Sequence, residues 1–155
     1  MMNIKIILLA GTAGIALSPF SYASEKTIVR ADLPAAVQKT ADTQSKGATI
    51  RRFVKGDEDG HLEYEMEMTV NGHSKDVSIA PDGTLLEIEE QVALGSLPNN
   101  VSQGLQTKVG HGTITKVESI TKHGKVVAYE AQVRTAGKHS EIQVGPDGKA
   151  LDHEE

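Results

Sequence analysis

Two stretches of this chain end on the same phrase: residues 78–90 read SIAPDGTLLEIEE and residues 143–155 read QVGPDGKALDHEE. The likeness runs upstream. At an offset of 64, Leu33, Pro34 and Val37 meet Leu97, Pro98 and Val101, Thr49 and Ile50 meet Thr113 and Ile114, and Gly60 meets Gly124. At an offset of 65, Tyr64 and Glu65 meet Tyr129 and Glu130, Gly72 meets Gly137, Val77 and Ile79 meet Ile142 and Val144, and Pro81, Asp82 and Gly83 meet Pro146, Asp147 and Gly148. One residue inserted in a hairpin accounts for the step. Turns, apolar positions and a helix start recurring in one order mark a tandem duplication, which restricts the fold to one unit used twice.

Each unit opens on a helix. Asp32 and Ser96 stand before Leu-Pro as expected N-caps, and a proline in the first turn forfeits no needed hydrogen bond. Leu33, Val37 and Ala41 recur at i, i+4 and i+8, as do Leu97, Val101 and Leu105, which gives each helix one apolar stripe. Gly104 in the second helix costs about 1 kcal/mol against Ala. Strands follow. Leu62, Tyr64, Met66, Met68 and Val70 alternate with Glu63, Glu65, Glu67 and Thr69, the period-two signature of a strand with one apolar and one acidic face. Asn71-Gly72 is a hairpin turn. Pro-Asp-Gly is a turn with proline setting φ and glycine taking a positive φ. Leu86 and Ile88 close the first unit, and a last short strand is expected near Leu151. The expected fold is α+β: tandem α-β-β-β-β units in an antiparallel sheet, with the helices packed on one face and the other face left polar.

These motifs resemble the PepSY family, and more closely its relatives among beta-lactamase-inhibitor-like proteins. The matching residues are Leu33, Pro34, Val37, Tyr64, Glu65, Gly72, Val77, Ile79, Asp82 and Gly83 in the first copy. In the second they are Leu97, Pro98, Val101, Tyr129, Glu130, Gly137, Ile142, Val144, Asp147 and Gly148. The resemblance implies a small exported module without catalytic activity that restrains a peptidase or binds another protein through its open sheet face. The tryptophans favoured at tight interfaces and the cysteines that brace the secreted inhibitors have no counterpart here. The resulting division is a signal peptide over residues 1–23, one PepSY-like unit over 24–90 and a second over 91–155.

The leader reading rests on residues as well. Lys5 precedes an apolar run too short and too rich in glycine to span a bilayer, and Ser21 and Ala23 place small residues where a bacterial Sec-type peptidase cuts. Cleavage is expected after Ala23, with the periplasm or the medium as destination and no membrane span afterwards. The net charge of −5 offers no footprint for nucleic acid. Without cysteine, the core must be built of Val, Ile, Leu, Met and Ala.

Candidate chemistry is sparse. There is no cysteine nucleophile, no G-x-S-x-G and no H-E-x-x-H, so no enzyme is expected. The acidic run at residues 56–61 lacks the register of a calcium loop. His61, His73, His111, His123, His139 and His153 fall near turns without metal-ligand spacing, so neither a metal nor a cofactor is assigned. The candidate binding residues are Glu63, Glu65 and Glu67 on one strand and Glu130, Gln132 and Arg134 on its repeat counterpart, which together form an open face for a basic patch on an unidentified secreted or envelope protein. The alternative reading is a ligand- or metal-responsive protein using surface carboxylates with His73 and His139. The sequence assigns no oligomeric state.

Overall fold

A computed structural model describes residues 23–58 and 60–155. The signal-peptide reading falls almost wholly outside them. Eight strands follow one another in a single antiparallel sheet whose spatial order is the chain order. They are β1 (Ala23–Ile28), β2 (Thr49–Glu58), β3 (His61–Val70), β4 (His73–Ile79), β5 (Leu85–Gln91), β6 (Thr113–Lys122), β7 (Lys125–Thr135) and β8 (Lys138–Val144). Helix α1 (Ala35–Gln44) joins β1 to β2, and α2 (Asn99–Val109) joins β5 to β6. No described helix is long and apolar enough to cross a membrane.

The α+β architecture agrees with the sequence, but the repeat has a different boundary. β5 pairs with β4 through Lys75–Glu90, Asp76–Glu89 and Val77–Ile88, and with β6 through Glu90–Ser119 and Gln91–Glu118. The second set, moved back by 64 residues, is the β1–β2 pairing of Lys26–Lys55 and Thr27–Val54. β5 therefore ends one repeat and begins the next: the unit is β-α-β-β-β-β with β5 shared, and the second copy lacks its closing strand. The sheet is continuous for this reason. The strand expected near Leu151 does not form. Residues 149–155 are irregular, and Ala150 and His153 stand where β5 has Leu85 and Ile88, the two side chains it packs against the first core. Leu86 is the extra residue of a bulge that sets Ile79 opposite Leu85 and Ser78 opposite Glu87, so it does not join that core as expected.

Both helices lie on one sheet face. Val37 and Ala41 of α1 are buried with Leu33, Phe53, Tyr64, Met66, Met68, Val77 and Ile79, while Val101 and Leu105 of α2 are buried with Leu97, Val117, Ala131 and Val144. Helix starts differ from expectation. Pro34 and Pro98 are themselves the caps, extended at ψ near 147° and 143°, and Leu33 and Leu97 before them are extended too, as proline disfavours a helical residue before it. Asp32 and Ser96 instead close short 3-10 turns.

Turn chemistry explains the recurring glycines. Asn71-Gly72, His123-Gly124 and Ala136-Gly137 all hold two successive positive φ angles, the two-residue hairpin turn that matches strand twist. Gly148 adds a spatial demand: at φ +77° it lies against α2, where a Cβ would collide with the Asn100 carbonyl. Gly104 faces it, and a Cβ there would collide with the Gly148 carbonyl. The helix-weakening Gly104 is thus required by close approach of helix and turn. Substituting Gly148 or Gly104 by Ala is expected to cost about 3 kcal/mol or more, whereas Gly47→Ala, at φ +78° with open space around it, costs only the backbone strain of about 1–2 kcal/mol. Urea denaturation of the three variants checks this ranking.

Candidate functional site

The face turned away from the helices carries the candidate residues. Strand register sets their neighbours. Glu63 lies opposite Gly56, Glu65 between Val54 and Ser78, and Glu67 between Arg52 and Asp76. Glu130 lies between Glu118 and Gln143, Gln132 between Lys116 and Glu141, and Arg134 between Thr113 and His139. All six share the face, but they form two groups on β3 and β7. Four strand spacings separate them, about 19 Å.

Residues not singled out from the sequence fill the gap. They are Asp76 on β4, Glu87 and Glu89 on β5, and Lys116, Glu118 and Lys122 on β6. Their signal was present as i, i+2 spacing in Glu87-x-Glu89 and Lys116-x-Glu118-x-Ile120-x-Lys122. It was legible only once β5 was known to touch β6.

Opposite residues in antiparallel strands have Cβ atoms about 4.5–5.5 Å apart, so the row Glu67, Asp76, Glu89 is a line of closely spaced carboxyl groups. Compensation is uneven. The Arg52 guanidinium grips Glu67, and Arg51, at a bulge in β2, reaches Glu67 at 3.5 Å and Asp76 at 3.4 Å. Glu118 is only 3% exposed. It accepts from Ser74 Oγ at 3.0 Å and pairs with Lys116 Nζ at 2.7 Å. Lys122 pairs with Glu87 at 3.2 Å.

Other carboxyls are pushed towards the protonated form instead. Burial, then the neighbouring Glu130, Glu87 and Glu118, pushes Glu89 up to about 9. Burial first and like charges next push Glu63 and Glu65 up to about 7. Burial also pushes Glu130 to about 7, against the hydrogen bond from Gln143 Nε2 at 2.9 Å. Asp76 is raised by burial and by Glu67.

The face is not uniformly polar. Val54, Ile120 and Ala128 are buried on it without a helix above them. Part of it is crossed by the last residues of the chain: the Glu155 amide donates to Gln143 Oε1 at 2.9 Å, and its carboxylate lies 3.4 Å from Lys122 Nζ.

One carboxylate oxygen each from Asp76, Glu89 and Glu118 lie within 4.8 Å of one another, a spacing at which hard oxygen ligands can converge. Lys116 and Arg51 already neutralise part of that cluster. The histidines do not contribute: His73 is on β4 and His139 on β8, about 19 Å apart by strand spacing. The histidine-based form of the ligand reading therefore has no shared site.

Neither a family model nor a curated protein matches the sequence. Solved structures do share the fold. A protein assigned to the periplasm of Bacteroides eggerthii superposes with a TM-score of 0.63 at 18% identity, over 77% of this chain and 86% of that one. A DUF2874 family protein from Bacteroides ovatus gives 0.61 at 18%, over 77% and 85%. A BLIP-like protein from Bacteroides fragilis gives 0.56 at 17%, over 77% and 83%. At these identities the likeness concerns the fold: this chain has the architecture of BLIP-like proteins.

Two outcomes follow from the charge arrangement. A folded-state pKa above the unfolded value of about 4.5 means that the native protein binds more protons than the unfolded chain. Stability is therefore fully present below pH 4.5 for these groups and falls as pH rises through 7 and on towards 9. The melting temperature should be higher at pH 5.5 than at pH 8.5, and Glu89→Gln should raise it more at pH 8.5 than at pH 5.5, as read by calorimetry. Lys116→Met leaves the buried Glu118 carboxylate without its cation and should cost about 3 kcal/mol, largely recovered in the Lys116→Met, Glu118→Gln double variant, as read by urea denaturation.

Proposed function

We propose that this protein is an exported, non-catalytic binding module of the bacterial envelope that docks a basic segment of a secreted or envelope protein on its open sheet face. One observation carries the reading: carboxyl groups from β3 to β8 share a continuous face on which no helix packs. Glu63 and Glu65 sit at one end of that face, held near neutral pKa by burial and then by separate acidic neighbours, Glu58 and Glu87 for Glu63 and Glu67 and Asp76 for Glu65. A lysine or arginine arriving there replaces lost hydration and draws the carboxyls into their charged form. Electrostatic steering then sets the encounter rate, and the apolar patches at Val54 and Ile120 add contact area.

The fold likeness to periplasmic and BLIP-like proteins supports the envelope setting and the lack of catalysis. The motif resemblance to PepSY proteins favours a peptidase as the partner, with restraint of that enzyme as the outcome.

The test is crosslinked capture from the native envelope with wild type, a Glu63→Lys, Glu65→Lys variant, and a Lys39→Glu control on the helix face. Recovery of one basic partner by wild type and control, reduced at least tenfold in the double variant, is the expected result. Equal recovery by all three contradicts docking at this end of the face. The Asp76, Glu89 and Glu118 cluster favours a second reading, a divalent-cation-responsive protein. Calorimetric heat from calcium or zinc that Glu89→Gln abolishes, with no partner recovered, would replace the first reading with the second.

A further inference from the structure

We propose that the outer edge of β8 accepts β1 of a second copy of this chain, in the register by which β4 holds β5. The inference is independent of what the open face binds. It starts from the shared strand. β5 stands one repeat after β1, because its pairing with β6 reproduces that of β1 with β2 at an offset of 64. β8 stands one repeat after β4, because Tyr129–Val144 and Ala131–Ile142 reproduce Tyr64–Ile79 and Met66–Val77 at an offset of 65. The β4–β5 junction inside the molecule is therefore a built example of a β8 edge meeting a β1 edge.

In the sheet, β8 and β1 are the two ends. No backbone hydrogen bond reaches the outer edge of β8 from residues 149–155; the bonds there are the local Gly145–Lys149 and Gly148–Gly145 turn. The chain's own candidate for that edge, the segment matching β5, lies instead across the open face through Glu155. Residues 138–141 of β8 and 25–27 of β1 are exposed.

Carried between copies, the internal pairing Lys75–Glu90 becomes Ser140 opposite Lys26. His139 then faces Thr27, and Lys138 faces Ile28. Ser24 stands where β5 has Ile88, so the junction rests on backbone hydrogen bonds and is weak and concentration-dependent. It is heterologous, head to tail, and extends into a row of copies unless the rotation between them closes a ring.

The absence of cysteine from the chain makes the register directly testable. Directly opposed residues in antiparallel strands come within disulfide reach. Lys26→Cys and Ser140→Cys are made as separate proteins, with a Lys75→Cys, Glu90→Cys double variant as the internal standard for this register. After mild oxidation at high protein concentration, the internal standard closes its disulfide within one chain. The 1:1 mixture of single variants is expected to accumulate a Lys26Cys-to-Ser140Cys heterodimer, identified by peptide mass, at several times the level of either homodimer. Sedimentation of the wild type should show mass rising with concentration, and Glu141→Pro, at an exposed position whose N–H faces away from β7, should abolish the rise. A closed internal standard with no heterodimer overturns the proposal, as does a Ser140Cys homodimer in excess of the heterodimer, which would mean β8 pairing with itself.

Discussion

β5 makes two sets of hydrogen bonds, one with each repeat, and the rest of the molecule depends on it. Had the duplication simply placed two complete sheets end to end, each would be small, with edges of its own. Sharing one strand turns the pair into a single eight-strand sheet with two cores beneath it, one under each helix. The period-two alternation of β5 decides what each face receives. Ile88 goes down towards the first core, while Glu87, Glu89 and Gln91 go up beside Asp76 on one side and Glu118 on the other.

The electrostatics of the open face follow from that placement. A lone glutamate on a solvated strand keeps an ordinary pKa. Glu89 does not, because it is half-buried and, after that, flanked by carboxyls from both repeats. The molecule handles this density of acid in two ways. Around Glu67 and Glu118 it supplies cations, from Arg52 and Lys116. Around Glu63, Glu65, Glu89 and Glu130 burial raises the pKa and favours the protonated form. The second device keeps charge in reserve: a cationic partner can draw it out, whereas a saturated ion pair has nothing left to offer. In the binding role proposed above, a surface of this kind would select its partner by charge, with few aromatic anchors to hold it.

Much of the fold was legible in the sequence, for identifiable reasons. The stripe Leu33, Val37, Ala41 and its repeat, the alternation from Leu62 to Val70, and the glycine turns are local signals, and each appears where expected. The shared strand was not legible, because residues 85–91 read equally well as an end and as a beginning. The failure at Leu151 is an instructive contrast: ALDHEE aligns with LLEIEE, yet His153 in place of Ile88 removes the apolar contact that would hold a strand down. The candidate site was half legible. Glu63, Glu65 and Glu67 announce themselves within one strand, but Asp76, Glu89 and Glu118 become neighbours only through pairing across the repeat boundary, which no spacing along the chain displays.

Carboxyl titration by carbon-detected NMR tests the central claim most directly, because Glu89 on the first repeat's last strand is raised by burial in the joined sheet and then by Glu130 and Glu118 of the second repeat. The Glu89 carboxyl should titrate with a midpoint near 9, and Glu118→Gln should lower that midpoint by removing a neighbour across the boundary. A Glu89 midpoint in the ordinary range near 4.5, unmoved by Glu118→Gln, would mean that β5 and β6 do not bring the two repeats together into one face.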